Sequence, residues 1–269
     1  EMLYKSPQFI MKELDLPRSS AEILIPTMMI FKKIFDKTAA DKFYTPLVTI
    51  MDGLIIEILR NKTYGDSDDG LEKDALSLAR SIATKFKYDK EHAMDVEDKC
   101  LILFDETRKL HGLGKRERLL LQLAAILHDS GKFISLNEHY IQSYNIVLAS
   151  EIPGITKDEQ RIIANVARYH SGLAPETSHP NFASLDESSK LVVGKLSAII
   201  RIADALDRSH KQKVREMKVE WEGSRLIIRV EAVLDTLLEE WTFDAKAEFF
   251  KVVFGVIPEI KIKKVMMNA

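Results

Sequence analysis

The pentapeptide His128-Asp129-Ser130-Gly131-Lys132 closes the apolar run Leu119–Leu127, setting an imidazole beside a carboxylate at the end of a helical stretch. That donor pair suits a divalent metal ion such as Mn, Mg, Zn or Fe. Two ligands hold an ion weakly, so a site needs more from elsewhere in the chain. His92, opening one helical pattern, and Asp204, inside another, are the candidates. Metal held by His92, His128, Asp129 and Asp204 would acidify a bound water and polarise a substrate oxygen, the chemistry of metal-assisted hydrolysis. Asp129 and Lys132 are the catalytic candidates, Lys132 as a charge that steers a phosphate oxygen or protonates a leaving group.

His139 and His170 are candidates for a second ion, or for a hydrogen-bonding wall around the first. Arg168, Arg201, Arg208 and Lys211, with His210, Lys213 and Arg215, form the best local basic cluster and are the candidate phosphate binders. Plainer readings stand beside these. A His-Asp pair also neutralises carbonyl charge at a helix end, and a basic run muted by Asp207 and Glu216 is commonly a solvated helix terminus. The ordered combination of four candidate ligands tips the balance toward chemistry. His111, His179 and His210 read as surface residues, and Trp221, Trp241 and Phe249-Phe250 as core.

The elements that must position these groups follow from hydrophobic periodicity. Helical patterns run over 71–86, 92–110, 115–128, 141–149, 157–170 and 188–209, punctuated by Gly112, Gly114, Gly131, Pro153-Gly154 and Gly172. His92, His128 and Asp204 thus come from three helices. Alternation over 218–221 and 226–230 around Glu222-Gly223-Ser224 predicts a hairpin; a helix over 235–254, ended by Gly255, and a strand over 259–264 follow. Before the helices, Leu16-Pro17-Arg18-Ser19-Ser20 reads as a turn, 25–35 as a helix and 42–47 as an extended piece. The predicted organisation is mainly α: the end of an α/β domain over 1–61, a linker at 62–70, a helical domain over 71–213 and a ββαβ unit over 214–269.

Composition narrows the function classes. Of 269 residues 46% are hydrophobic, enough for real cores, while 39 Lys and Arg against 41 Asp and Glu give no general push toward polyanions. Basic residues are not concentrated on one predicted helix, so nucleic acid is not an expected partner. The single cysteine, Cys100, excludes an internal disulfide and fits a reducing compartment. The apolar runs fall short of the roughly 20 residues of a membrane span. A cytoplasmic protein is the expectation, and the first residue, Glu1, suggests a fragment of a longer chain.

The order His92, His128-Asp129, Asp204 within Arg201-Ile202-Ala203-Asp204-Ala205-Leu206-Asp207 resembles the H…HD…D pattern of the HD superfamily, whose helical domains gather these side chains around one or two metals. The segments HAMDVEDKCLILFDETRKLHGLG, LLLQLAAILHDSGKFI, EIPGITKDEQRIIANVARYH and IIRIADALDRSHKQKV, and the terminal unit with Trp241 and Phe249 to Gly255, are similar to the C-terminal half of the exopolyphosphatase / guanosine pentaphosphate phosphohydrolase (Ppx/GppA) family. The stretch from Leu16 to Pro26 resembles the end of that family's actin-like phosphatase module. The resemblance implies an HD-type helical domain acting on phosphoanhydrides or phosphoesters: polyphosphate, nucleotides or alarmones. It assigns metal-ligand roles to His92, His128, Asp129 and Asp204. A homodimer is the expected assembly. Gln142 stands where the family often carries a further histidine, which weakens a full two-metal set. The phosphate-binding loops upstream in full-length relatives are not found, so a second reading is a polyphosphate-binding and dimerisation module serving an upstream catalytic domain.

Overall fold

The computed structural model describes residues 6–38, 42, 69–223 and 225–265. The chain divides into two compact units, 1–65 and 66–269. In the first, α1 (Pro7–Leu14) starts at Ser6, whose hydroxyl accepts the Phe9 N–H, and ends at Asp15 in the left-handed region. Helix α2 (Arg18–Phe35) begins seven residues before the helix predicted from Ile25, because Pro17 sets the entry and Pro26 is tolerated within the helix. The predicted turn therefore shrinks to Asp15–Pro17. The extended piece at 43–47 and residues 62–68 of the linker lie outside the described residues.

The second unit opens with α3 (Asp69–Lys85) and continues through α4 (Lys90–Glu106), the short α5 (Arg108–His111), α6 (Lys115–Leu127), α7 (His139–Leu148), α8 (Lys157–Tyr169), the short α9 (Pro180–Ala183) and α10 (Glu187–Ala205). Local chemistry sets several of these boundaries. Asp89 caps α4 by accepting the His92 N–H. Thr156 and Glu159 form a reciprocal capping box on α8, and Asp186 caps α10 through the Ser189 N–H. From Leu119 to Leu127 every residue of α6 but Gln122 is buried, so this helix is apolar nearly all round and forms the axle of the bundle. Helices α3, α4, α8 and α10 pack on it.

Strand β1 (Val214–Glu222) pairs antiparallel with β2 (Arg225–Ala232), and β3 (Pro258–Lys264) pairs parallel with β2. A parallel pair needs a crossover, which α11 (Leu237–Phe254) supplies before Gly255 ends it in the left-handed region. One sheet face buries Leu226, Ile228 and Val230. On β1, β2 and β3, Arg229 meets Glu220 and Glu222, Lys261 meets Glu222 and Lys263 meets Glu231, a lattice of charge that discourages edge pairing. The sheet is not a separate satellite: α11 packs along α10, and Phe243 and Phe250 enter the helical core. Trp221 and Trp241, expected in the core, are 46% and 75% exposed: Trp221 shares the face of its buried partner Leu226 but stands beside the hairpin turn, and Trp241 lies on the face of α11 opposite its buried residues.

Candidate metal centre

Five helices bring their ends or inner faces to one point. His92 lies in the first turn of α4, His128 directly follows α6, His139 opens α7, His170 directly follows α8 and Asp204 is near the end of α10. Asp129 sits at their centre. Its Oδ2 is 3.5 Å from both His92 Nε2 and His128 Nε2, and its Oδ1 is 3.5 Å from both His139 Nε2 and His170 Nε2. Asp204 Oδ1 stands 3.4 Å from His92 Nε2 and 3.8 Å from His128 Nε2.

The tautomers of the four imidazoles are fixed from behind. His128, His139 and His170 each donate Nδ1–H to a backbone carbonyl, of Ala125, Leu136 and Ala167. A carbonyl can only accept, so each ring turns an Nε2 lone pair inward. His92 donates Nδ1–H to Asp207 Oδ2 at 2.8 Å, and Asp207 is itself held by the backbone and side-chain N–H groups of Gln212. The Nε2 atoms of His92 and His128 are 3.2 Å apart and those of His139 and His170 3.3 Å. Lone pairs aimed at one another at that distance call for a positive charge between them.

Electrostatics repeat the point. Burial pushes His128 down to about 3, leaving it neutral. Burial also opposes a charged His92, but hydrogen bonding to Asp204 and Asp207 outweighs it and raises the ring to about 9. Burial works against the charge of Asp129 too, yet His170 and the Lys132 ammonium hold its carboxyl well below the usual range; Lys246 and His92 do the same for Asp204. Both oxygens of Asp129 are buried without a hydrogen bond, although Lys132 Nζ lies 2.5 Å from Oδ2 as an ion pair. Buried carboxylate oxygens ringed by imidazole Nε2 atoms are a donor set that a divalent cation satisfies, so the residues fit one.

Lys132 enters through a single 3-10 turn, Ser130–Phe133. The fold needs glycine at 131: a Cβ there would lie 2.0 Å from the His139 carbonyl oxygen and 2.5 Å from the Ser143 nitrogen. Gly131 N–H donates to Ser143 Oγ, pinning the turn against α7.

The basic candidates separate. Arg201, 7% exposed, spends its guanidinium on the carbonyls of Tyr169, Ser171, Gly172 and Leu173, clamping the chain beyond α8. Arg168 lies over the rings of Tyr144 and Tyr169. Arg208 and Lys211 are exposed.

Some participants escaped the sequence reading. His210, read there as surface, stacks on His92 with ring centroids 3.6 Å apart, donates Nδ1–H to Asp89 and accepts from Lys132 Nζ at 3.1 Å. His111, also read as surface, is buried and bonded to the Phe104 carbonyl. Asp207 was visible as a carboxylate one helical turn beyond Asp204. Lys246 donates to Asp204 Oδ2 and left one signal: a lysine among Phe243, Ala247 and Phe250 on the buried face of α11.

Comparison with known proteins bears on this centre. A stretch of 116 residues is 28% identical to a guanosine-5'-triphosphate,3'-diphosphate pyrophosphatase of Aeromonas hydrophila subsp. hydrophila, covering 43% of this chain and 22% of that one. The protein of the same name from Aeromonas salmonicida matches to the same extent. The chain thus spans about a fifth of the length of these curated relatives. The profile of domain III of the Ppx/GppA phosphatases matches residues 77–244, from α3 into α11 and across every side chain of the centre but Lys246, and on that match the chain belongs to the Ppx/GppA phosphatase family.

Proposed function

We propose that the second unit is an HD-type domain that binds divalent metal and hydrolyses phosphoanhydride or phosphoester bonds, with polyphosphate, nucleotides or alarmone nucleotides as substrate class. The observation that carries this is the convergence of four Nε2 atoms on the two buried oxygens of Asp129. His92, His128 and Asp204, with Asp129 Oδ2 beside them, would hold one ion; Asp129 Oδ1, His139 and His170 would offer a smaller set for a second. An imidazole-rich set favours Mn, Fe or Zn over Mg. A bound ion supplies Lewis acidity, neutralising phosphoryl charge and lowering the pKa of water.

The chain's own residues do the rest. Asp207 keeps His92 in the tautomer that faces inward. The ammonium of Lys132, 30% exposed at the rim, balances charge on an incoming phosphate oxygen. His210, itself fixed by Asp89, accepts a hydrogen bond from that ammonium. The family membership and the pyrophosphatase name of the Aeromonas relatives support a phosphorylated substrate. Elemental analysis of the protein beside Asp129→Ala, with phosphate release measured over nucleotides and polyphosphate, tests the reading. The expected result is one or two metals per chain (roughly that many by the donor count), lost in the variant together with turnover. Metal without turnover would favour a binding module; no metal under any loading condition would sink the site.

A further inference from the structure

Lys246 stands on α11, beyond the β1–β2 hairpin, and its side chain is 9% exposed. Its ammonium donates to Asp204 Oδ2 and, at 3.1 Å, to the backbone carbonyl of His170, so it bridges two of the segments that build the centre. The two oxygens of Asp204 are thereby divided. Oδ1 faces His92 and His128, while Oδ2 is taken by the lysine. An unrestrained aspartate can offer both oxygens to an ion; this one offers one.

We propose that Lys246 is a built-in counter-ion and positioning residue of the centre: it holds Asp204 in one orientation, limits it to one ligating oxygen, and satisfies its charge before any ion arrives. The proposal rests on the metal reading above. A buried carboxylate stripped of its partner is strongly destabilising, so with Lys246 in place the centre persists without metal. A fixed ammonium on Oδ2 also repels an ion approaching Oδ1. Lysine and ion therefore share one carboxylate, and each weakens the other's hold, a coupling that must be reciprocal.

The test uses the full chain, with Lys246→Met as the neutral variant and Lys246→Arg as the charged one, measured by calorimetric titration with Mn2+ and by thermal melts in Mn2+ and in chelator. Lys246→Met is expected to melt well below the parent in chelator, to recover much of that loss in Mn2+, and to bind Mn2+ about tenfold more tightly. Lys246→Arg should resemble the parent. Lys246→Gln, which keeps a donor for the His170 carbonyl, carries the same expectation where the methionine variant does not fold. Equal loss of Tm with and without Mn2+, unchanged or weaker Mn2+ affinity, or neutral variants that Mn2+ fails to rescue would overturn the proposal. A parent protein that binds no Mn2+ would instead overturn the metal reading beneath it.

Discussion

The imidazole of His92 shows how much a ligand depends on what stands behind it. Its inward Nε2 is defined only because Asp207 takes the proton on Nδ1, and Asp207 is held in turn by two N–H groups of Gln212. Removing that support leaves the ligand in place but frees its ring to turn. We expect Asp207→Ala to weaken Mn2+ binding by about tenfold to a hundredfold, read by titration on a protein that still melts cooperatively; unchanged affinity would contradict this role. At this scale the sequence was informative where spacing and residue type coincide, as in His92, His128-Asp129 and Asp204. It was silent where a role comes from the fold. His210 takes its place by stacking on His92 from a backbone with φ of 55°, and nothing in its polar neighbourhood announces that contact.

Among the elements, the turn between α6 and α7 is the most constrained. Gly131 lets the backbone of the His-Asp motif press against the first turn of α7, which carries His139. A methyl group at 131 would meet backbone atoms that cannot rotate away. Gly131→Ala is therefore expected to cost about 1–3 kcal/mol or more, and to displace His139 from Asp129; a thermal melt within a degree of the parent would refute it. Helix and strand positions were well marked by periodicity, and the observed boundaries of α6 and α8 differ from expectation by one residue each. Arg201 was less legible. Its place next to other cations suggested an anion site, whereas burial turns the guanidinium toward four carbonyls of the 169–173 segment, the acceptors within its reach.

At the scale of the molecule, ion pairs between helices give stability a pH dependence. Arg116 on α6 forks onto Glu159 on α8, and those hydrogen bonds, with burial opposing, draw Glu159 down from 4.5 to about 2. A depressed carboxyl contributes stability that is complete above its unfolded value and lost as pH falls toward 2. Because the pair is partly solvated, the contribution is put at about 1 kcal/mol or less. Urea unfolding of the parent and Glu159→Gln should differ at pH 7 and converge as pH falls from 4.5 to 2; a constant difference across that window would exclude the pair as its source. Long-range relations of this kind were the least legible in sequence. The terminal ββαβ elements were foreseen, but not that α11 would send a lysine into the helical half, because no local pattern records which face of one element meets another. The same separation governs the order of assembly. His92 and Asp207 are 115 residues apart, whereas α7 and α8 are neighbours in the chain. Closing the longer loop costs more entropy and is repaid last, so the His–Asp cage is a product of completed folding rather than its template.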